Sequence, residues 1–208
     1  MRILADGSDP TSVGPRTRGT PPIVEAASEG EGLISESVHR PLHYYLDNNC
    51  YWLSAATLHH QPFFREDARL DLLAQELESS AAIWSVECIA WVIMEHHHHA
   101  IVHVANARTL PRFVQRLHGR TARLLNLDDG TPGRQVWRQY WDRLLRTEGD
   151  FWSRLNYVWW NPVKHEFCAR PEQWRWIRMP AWFSDEDGTN AEVREQFPAP
   201  KMLPGDRW

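Results

Sequence analysis

The sequence predicts an α+β fold, an antiparallel β-sheet flanked by helices. Three observations predict it. The segments read in the order β-α-β-β-α-β-α, with no regular βαβ alternation to suggest a parallel sheet. Two of the strand runs, Trp84 to Met94 and His98 to Val104, are joined by a tight connection near Glu95 and His96. The helical runs are amphipathic, so each has an apolar face to lay on a sheet. The 208 residues suffice for one domain of ordinary size plus tails.

Residues 1–38 are rich in Gly, Pro, Ser and Thr and read as a disordered tail. The domain spans 39–182, and the polar, Pro-rich remainder, 183–208, reads as a flexible tail. Cys50 to His60 is strand-like, with aromatic and small apolar residues. Arg65 to Trp84 places Leu70, Leu72, Leu73 and Leu77 at helical spacing. Trp84 to Met94 carries little charge and many β-formers, which suggests a central strand. Leu110 to Leu127 repeats Phe113, Leu117, Ala122, Leu124 and Leu125 on a helical period, with Arg on the other side. "LDDGTPGR" is a loop by its Asp, Gly and Pro content. Gln135 to Leu145 is a further strand. Glu148 to Trp160 is a helix expected to stop at Asn161–Pro162, because proline biases the residue before it away from the helical region.

Cys50, Cys88 and Cys168 are an odd number, widely spaced and without CxxC, which argues for reduced thiols in a cytosolic compartment. No apolar run approaches a membrane span, and no secretory signal is expected. The net charge of -4 hides an asymmetry: Ile101 to Thr147 holds nine Arg, three Asp and no Lys or Glu, a local +6. Arginine in excess favours bidentate phosphate contact. Arg112, Arg116, Arg120 and Arg123 are spaced to share a helix face and, with Arg138, are candidate phosphate contacts. Twelve Trp are mostly core anchors, with exposed ones able to stack on unpaired bases.

"MEHHHHAIVHV" sets the chemical question. On a strand, residues two apart point the same way. His98, Ala100, Val102 and Val104 then share a mostly apolar face, and His97, His99, Ile101 and His103 the other. His97 and His99 side by side make a pair of divalent-metal ligands that needs completion from elsewhere. Tyr157 and Asn161, four apart in "YVWWNPVKH", share a helix face. Asn161 offers a carbonyl oxygen suited to Mg²⁺ or Mn²⁺, and Tyr157 a phenol that can act as a nucleophile on phosphorus.

Four stretches together resemble the HUH single-tyrosine transposases, particularly the REP-associated tyrosine transposases of bacteria. They are "AWVIMEHHHHAIV", "LHGRTARLLN", "VWRQYWDRLLRTEGDF" and, the most specific, "LNYVWWNPVKHEF", together spanning roughly Cys50 to Trp176. The resemblance implies a sheet similar to an RNA-recognition-motif core and a transposase that cleaves and rejoins single-stranded DNA beside a hairpin. It implies Tyr157 as the catalytic residue, a 5′-phosphotyrosine intermediate, and one Mg²⁺ or Mn²⁺ on His97, His99 and Asn161. It further implies a cytoplasmic bacterial protein, monomer or homodimer, with the arginines above on DNA. Glu95 stands where the family has Pro, and His98 where an apolar residue is usual, so a rival register, His96 with His98, is also open. Three other readings compete. One is a domesticated hairpin-DNA-binding protein that does not cut. Another is a metal-dependent hydrolase built on the His cluster, with Glu95 as its nearby carboxylate. The third is a His-rich metal-storage or sensor module, for which the sequence offers no second cluster.

Overall fold

The computed structural model describes residues 46–183, 192 and 195–201. The expected N-terminal tail and the start of the domain at residue 39 lie outside the described residues. Five strands form one sheet: β1 (Asn49–Thr57), β2 (Val86–Ile93), β3 (His97–Val104), β4 (Trp137–Leu144) and the short β5 (Ile177–Arg178). Their order is β4-β1-β3-β2-β5, and each neighbouring pair is antiparallel. The helices are α1 (Asp67–Trp84), α2 (Thr109–Asp128) and α3 (Glu148–Lys164). This is the α+β architecture the sequence predicts. The histidine strand β3 takes the middle of the sheet, and β2 stands beside it with only two-residue β5 beyond.

The sheet is covered on both faces. Leu70, Leu73 and Leu77 of α1 and Leu110, Phe113 and Leu117 of α2 bury one face against Ala100, Val102 and Val104. Phe151, Leu155 and Val158 of α3 cover the other, with Trp52, Val92 and Ile101. Alternation on a strand therefore separates the histidines as expected, because a one-residue step changes faces.

His98 falls on the apolar α1/α2 face, where a lone imidazole would be misplaced. The fold supplies a partner: His98 Nε2 lies 3.0 Å from His118 Nε2 on α2. His118 in turn stacks on Trp137 at 4.4 Å. Burial pushes the His98 pKa down to about 4, and holds His118 well below its ordinary value, with His98 adding to the effect. The unfolded chain therefore takes up protons near pH 6.5 that the fold refuses. Stability is expected to fall as pH drops from 6.5 toward about 4, by about 3 kcal/mol from His98 alone. Thermal melts at pH 7.5 and pH 4.5 check this. A His98→Val/His118→Leu variant should show a shallower pH dependence than wild type. An unchanged slope would contradict the account.

Pro162 does not stop α3. Thr147 caps the helix start by accepting from the Asp150 amide at 3.0 Å. The helix runs through Pro162 to Lys164, then closes with the His165 amide donating to Asn161 O at 3.1 Å and Phe167 to Pro162 O at 2.9 Å. Proline removes only its own donor, the one that would reach Val158, and in a last turn the remaining bonds suffice. The exit is set instead by Glu166, at φ 61°. Asn161 and Lys164 thus lie inside the helix.

Part of the expected C-terminal tail is docked rather than loose. Asn156 Nδ2 donates to Phe197 O at 2.7 Å, and Ser153 Oγ to Pro198 O at 3.2 Å. The remainder of 183–208 lies mostly outside the described residues. No helix among the described residues is long and apolar enough to cross a membrane.

Candidate active site

A tight turn delivers the histidines. The Met94 amide donates to His97 O at 2.9 Å, with Glu95 and His96 at the corner. His97 and His99 leave the turn on the α3 face, their rings 4.9 Å apart. Asn161 Oδ1 lies 3.1 Å from His97 Nε2. The His99 ring stacks on Trp52 at 4.9 Å and meets Tyr157 edge-on at 5.2 Å. The structure thus brings together all four residues that the sequence singles out as catalytic or ligating. His97 is 6% exposed, His99 2%, Tyr157 1% and Asn161 0%, so the group is closed to bulk water.

His96 and His98 do not meet. His98 passes to the α1/α2 side, while His96 lies against His97 at 4.7 Å and His60 at 5.4 Å. The geometry therefore favours the pair His97 and His99 over the rival register.

Electrostatics suit a ligand role. Burial, then the neighbouring imidazoles, hold His97 and His99 well below the ordinary histidine range. Lys164 and Arg154 add to this at His99. Both rings are neutral at pH 7, the state in which an imidazole can bind a metal. Asn161 turns its carbonyl toward His97 and leaves Nδ2 buried without a hydrogen-bond partner. That orientation is costly unless the oxygen has work at the site. Adjacent ligands of an octahedral ion with bonds near 2.1 Å sit about 3 Å apart, and His97 Nε2 and Asn161 Oδ1 are 3.1 Å apart. His97 Nε2 and Asn161 Oδ1 are spaced as two donors on one divalent cation would be. Among the described residues no group of three or more His, Cys, Asp or Glu side chains is placed to hold a metal ion.

Lys164 escapes sequence reasoning. Its Nζ donates to Tyr157 Oη at 2.6 Å and lies 4.4 Å from the ring centroid. Seven residues after Tyr157, it returns to the same helix face. Stopping the helix at Pro162 hides that spacing. Arg154, buried on α3 with its guanidinium 5.9 Å over Trp52, is a second cation missed. His60 and His165 also join the histidines, and no sequence pattern marks them.

The arginines divide. Arg112, Arg116, Arg120 and Arg123 all lie on α2, in the layer across the sheet from Tyr157. Arg120 makes a bidentate pair with Glu76 at 2.8–3.1 Å, and Arg112 sits 6.0 Å over Trp84. Arg123 is exposed. These four are not at the Tyr157 site. Arg138 on β4 lies near His60, where its charge reinforces the lowering that burial imposes on that imidazole.

No protein-family model and no curated sequence matches the chain. Solved structures do. A protein from Deinococcus radiodurans named a putative transposase aligns at TM-score 0.42 and 20% identity over 59% of this chain and 95% of its own. A REP-associated tyrosine transposase bound to a REP hairpin aligns at TM-score 0.57 and 15% identity, over 81% of this chain and 93% of its own. The chain shares the fold of that hairpin-bound transposase.

Proposed function

We propose that this chain is a metal-dependent single-strand DNA nuclease and strand transferase of the transposase type. The observation that carries the reading is the Tyr157 hydroxyl, hydrogen-bonded to Lys164 and packed against His99 beside His97 and Asn161. His97, His99 and Asn161 would hold a divalent cation, Mg²⁺ or Mn²⁺ by the family resemblance, which would supply Lewis-acid polarisation of a scissile phosphate. Tyr157 Oη loses its proton and bonds to phosphorus, and the bond to the 3′ oxygen breaks. That oxygen leaves with a proton as a 3′-hydroxyl, and the 5′ end stays on the tyrosine. Attack by the same or another 3′-hydroxyl reverses the step and joins ends. The phosphodiester energy is kept in the phosphotyrosine, so no nucleotide is hydrolysed.

The Lys164 ammonium, hydrogen-bonded to Oη and placed over the ring, stabilises negative charge on Oη. Lys164→Met should slow cleavage about tenfold to a hundredfold while DNA affinity changes little. Lys164→Arg should recover part of the rate. Single-turnover cleavage measures both, and equal rates for Met and wild type would contradict the role.

Hairpin DNA is taken as the partner because the solved neighbour holds one. The α2 arginines, across the sheet from the nucleophile, suit contacts to DNA flanking the cleaved strand, and Arg138 suits the strand itself. Binding that uses several of them weakens steeply with salt.

The testing experiment is a denaturing gel of labelled single-stranded hairpin DNA with the protein, in Mn²⁺ or in EDTA. A metal-dependent protein–DNA band supports the reading. A second reading, hairpin binding without cleavage, is favoured by the closure of the site, with Tyr157 1% exposed. Binding with no covalent band in either condition would select it.

A further inference from the structure

Among the described residues two Trp are exposed, Trp160 at 38% and Trp182 at 43%. Trp182 lines a cavity of about 660 Å³, within the size range of ligand pockets. The fold leaves this space for a local reason. β5 pairs only with Trp91 and Val92 of β2. Pro180 has no N–H with which to extend the ladder. Among the described residues, Val86–Ala90 have no strand on their outer side. The chain after β5 turns toward α3 instead, where the Trp182 ring meets Trp152 at 5.4 Å and Phe151 at 6.4 Å. The cavity lies between that turn, the start of β2 and the end of β3.

Its lining has two characters. Phe151, Ile89 and Met179 are apolar, and Glu87, His103 and Arg178 are polar. His103 Nδ1 lies 3.4 Å from a Glu87 oxygen. Arg178 donates to Glu78 at 2.6 Å, and a guanidinium keeps further donors after one such bond. An indole face beside a carboxylate and a guanidinium suits a nucleotide. The base stacks, its amino group donates to the carboxylate, and its phosphate accepts from the guanidinium. Only three residues of the β2 edge, Glu87 to Ile89, line the space, fewer than the about five or six of a usual strand, so an added peptide strand is poorly seated. His103 shares the α3 face of β3 with His99, four residues and about 13 Å away. Phe151 precedes Tyr157 on α3 by six residues, about 9 Å. At about 3.4 Å per nucleotide of a stacked strand, the cavity is about three or four nucleotides from the nucleophile.

We infer that this cavity takes one unpaired nucleotide of the bound strand, its base stacked on Trp182, and so reads the DNA away from the cleaved bond. The inference rests on the reading of the chain as a binder of single-stranded DNA. Stacking tolerates any base. Glu87 makes the choice, favouring a base with an exocyclic amino group over thymine.

The test is equilibrium binding of the full chain to labelled hairpin DNA with single-stranded flanks, in EDTA so that nothing is cut. Each flank nucleotide is replaced in turn by an abasic site. In wild type, one position should cost about tenfold in affinity. Trp182→Ala should weaken intact DNA about tenfold, and the abasic site should then cost no more than about twofold, because the two changes remove one contact. Trp182→Phe should recover most of the affinity. Trp160→Ala, outside the cavity, should leave the wild-type pattern. If Trp182→Ala melts at lower temperature, Glu87→Gln is read in its place. It should erase the preference for cytosine over thymine at that position. A flat abasic scan, or losses that simply add in Trp182→Ala, would overturn the inference. So would a cytosine preference unchanged in Glu87→Gln. The readout needs no cleavage. A coupled position without any adduct in Mn²⁺ refutes the nuclease and keeps the pocket. An adduct from a chain with a flat scan refutes the pocket alone, and no binding by wild type to any hairpin refutes both.

Discussion

Tyr157→Phe is expected to abolish covalent attachment to DNA, a loss of about a thousandfold or more in cleavage, with DNA affinity unchanged within about twofold. The substitution removes one oxygen. The ring keeps its edge contacts with His99 and Trp52, at 5.2 and 5.7 Å, and its place in the α3 layer. Lys164 loses an acceptor but is exposed, so water replaces it at little cost to stability. Adduct yield and equilibrium binding, measured on the same protein, separate chemistry from architecture. Equal loss of both would make Tyr157 a core residue and nothing more.

His97→Ala with His99→Ala has the second largest expected effect. Two of the three proposed metal donors disappear, and metal-dependent cleavage should fall at least about a hundredfold. Stability should also drop, because His99 stacks on Trp52 in a buried position and its removal leaves a cavity. A melt must therefore accompany the assay. The matched control is His96→Ala with His98→Val, which empties the alternative register and keeps an apolar residue on the α1/α2 face. It should retain cleavage. Activity lost in the control and kept in the first variant would place the ligands on His96 and His98.

Much of this site is legible in the sequence because it depends on short periodicities. A two-residue strand period places His97 and His99 together, and a four-residue helix period places Tyr157 above Asn161. Those local rules survive folding unchanged. What fails is whatever depends on tertiary position. Pro162 reads as a stop because the sequence cannot show that only one bond in a last turn is lost, and that error hides Lys164. His98 reads as an odd neighbour for its apolar face until α2 supplies His118. The α2 arginines read correctly as one helix face, but which side of the sheet receives that helix is a matter of topology. Arg120 shows the same limit, since its partner Glu76 lies 44 residues away. His165 and His60 approach the site only through contacts between distant segments.

The most direct test is to find the atom that carries the DNA. After reaction with hairpin DNA and Mn²⁺, nuclease digestion of the DNA and trypsin cleavage after Arg154 and Lys164 release the peptide LNYVWWNPVK, Leu155 to Lys164. Fragmentation by mass spectrometry should place the 5′ nucleotide on Tyr157, in Mn²⁺ and not in EDTA. A nucleotide on any other residue, or DNA cut with no peptide modified, would contradict the account.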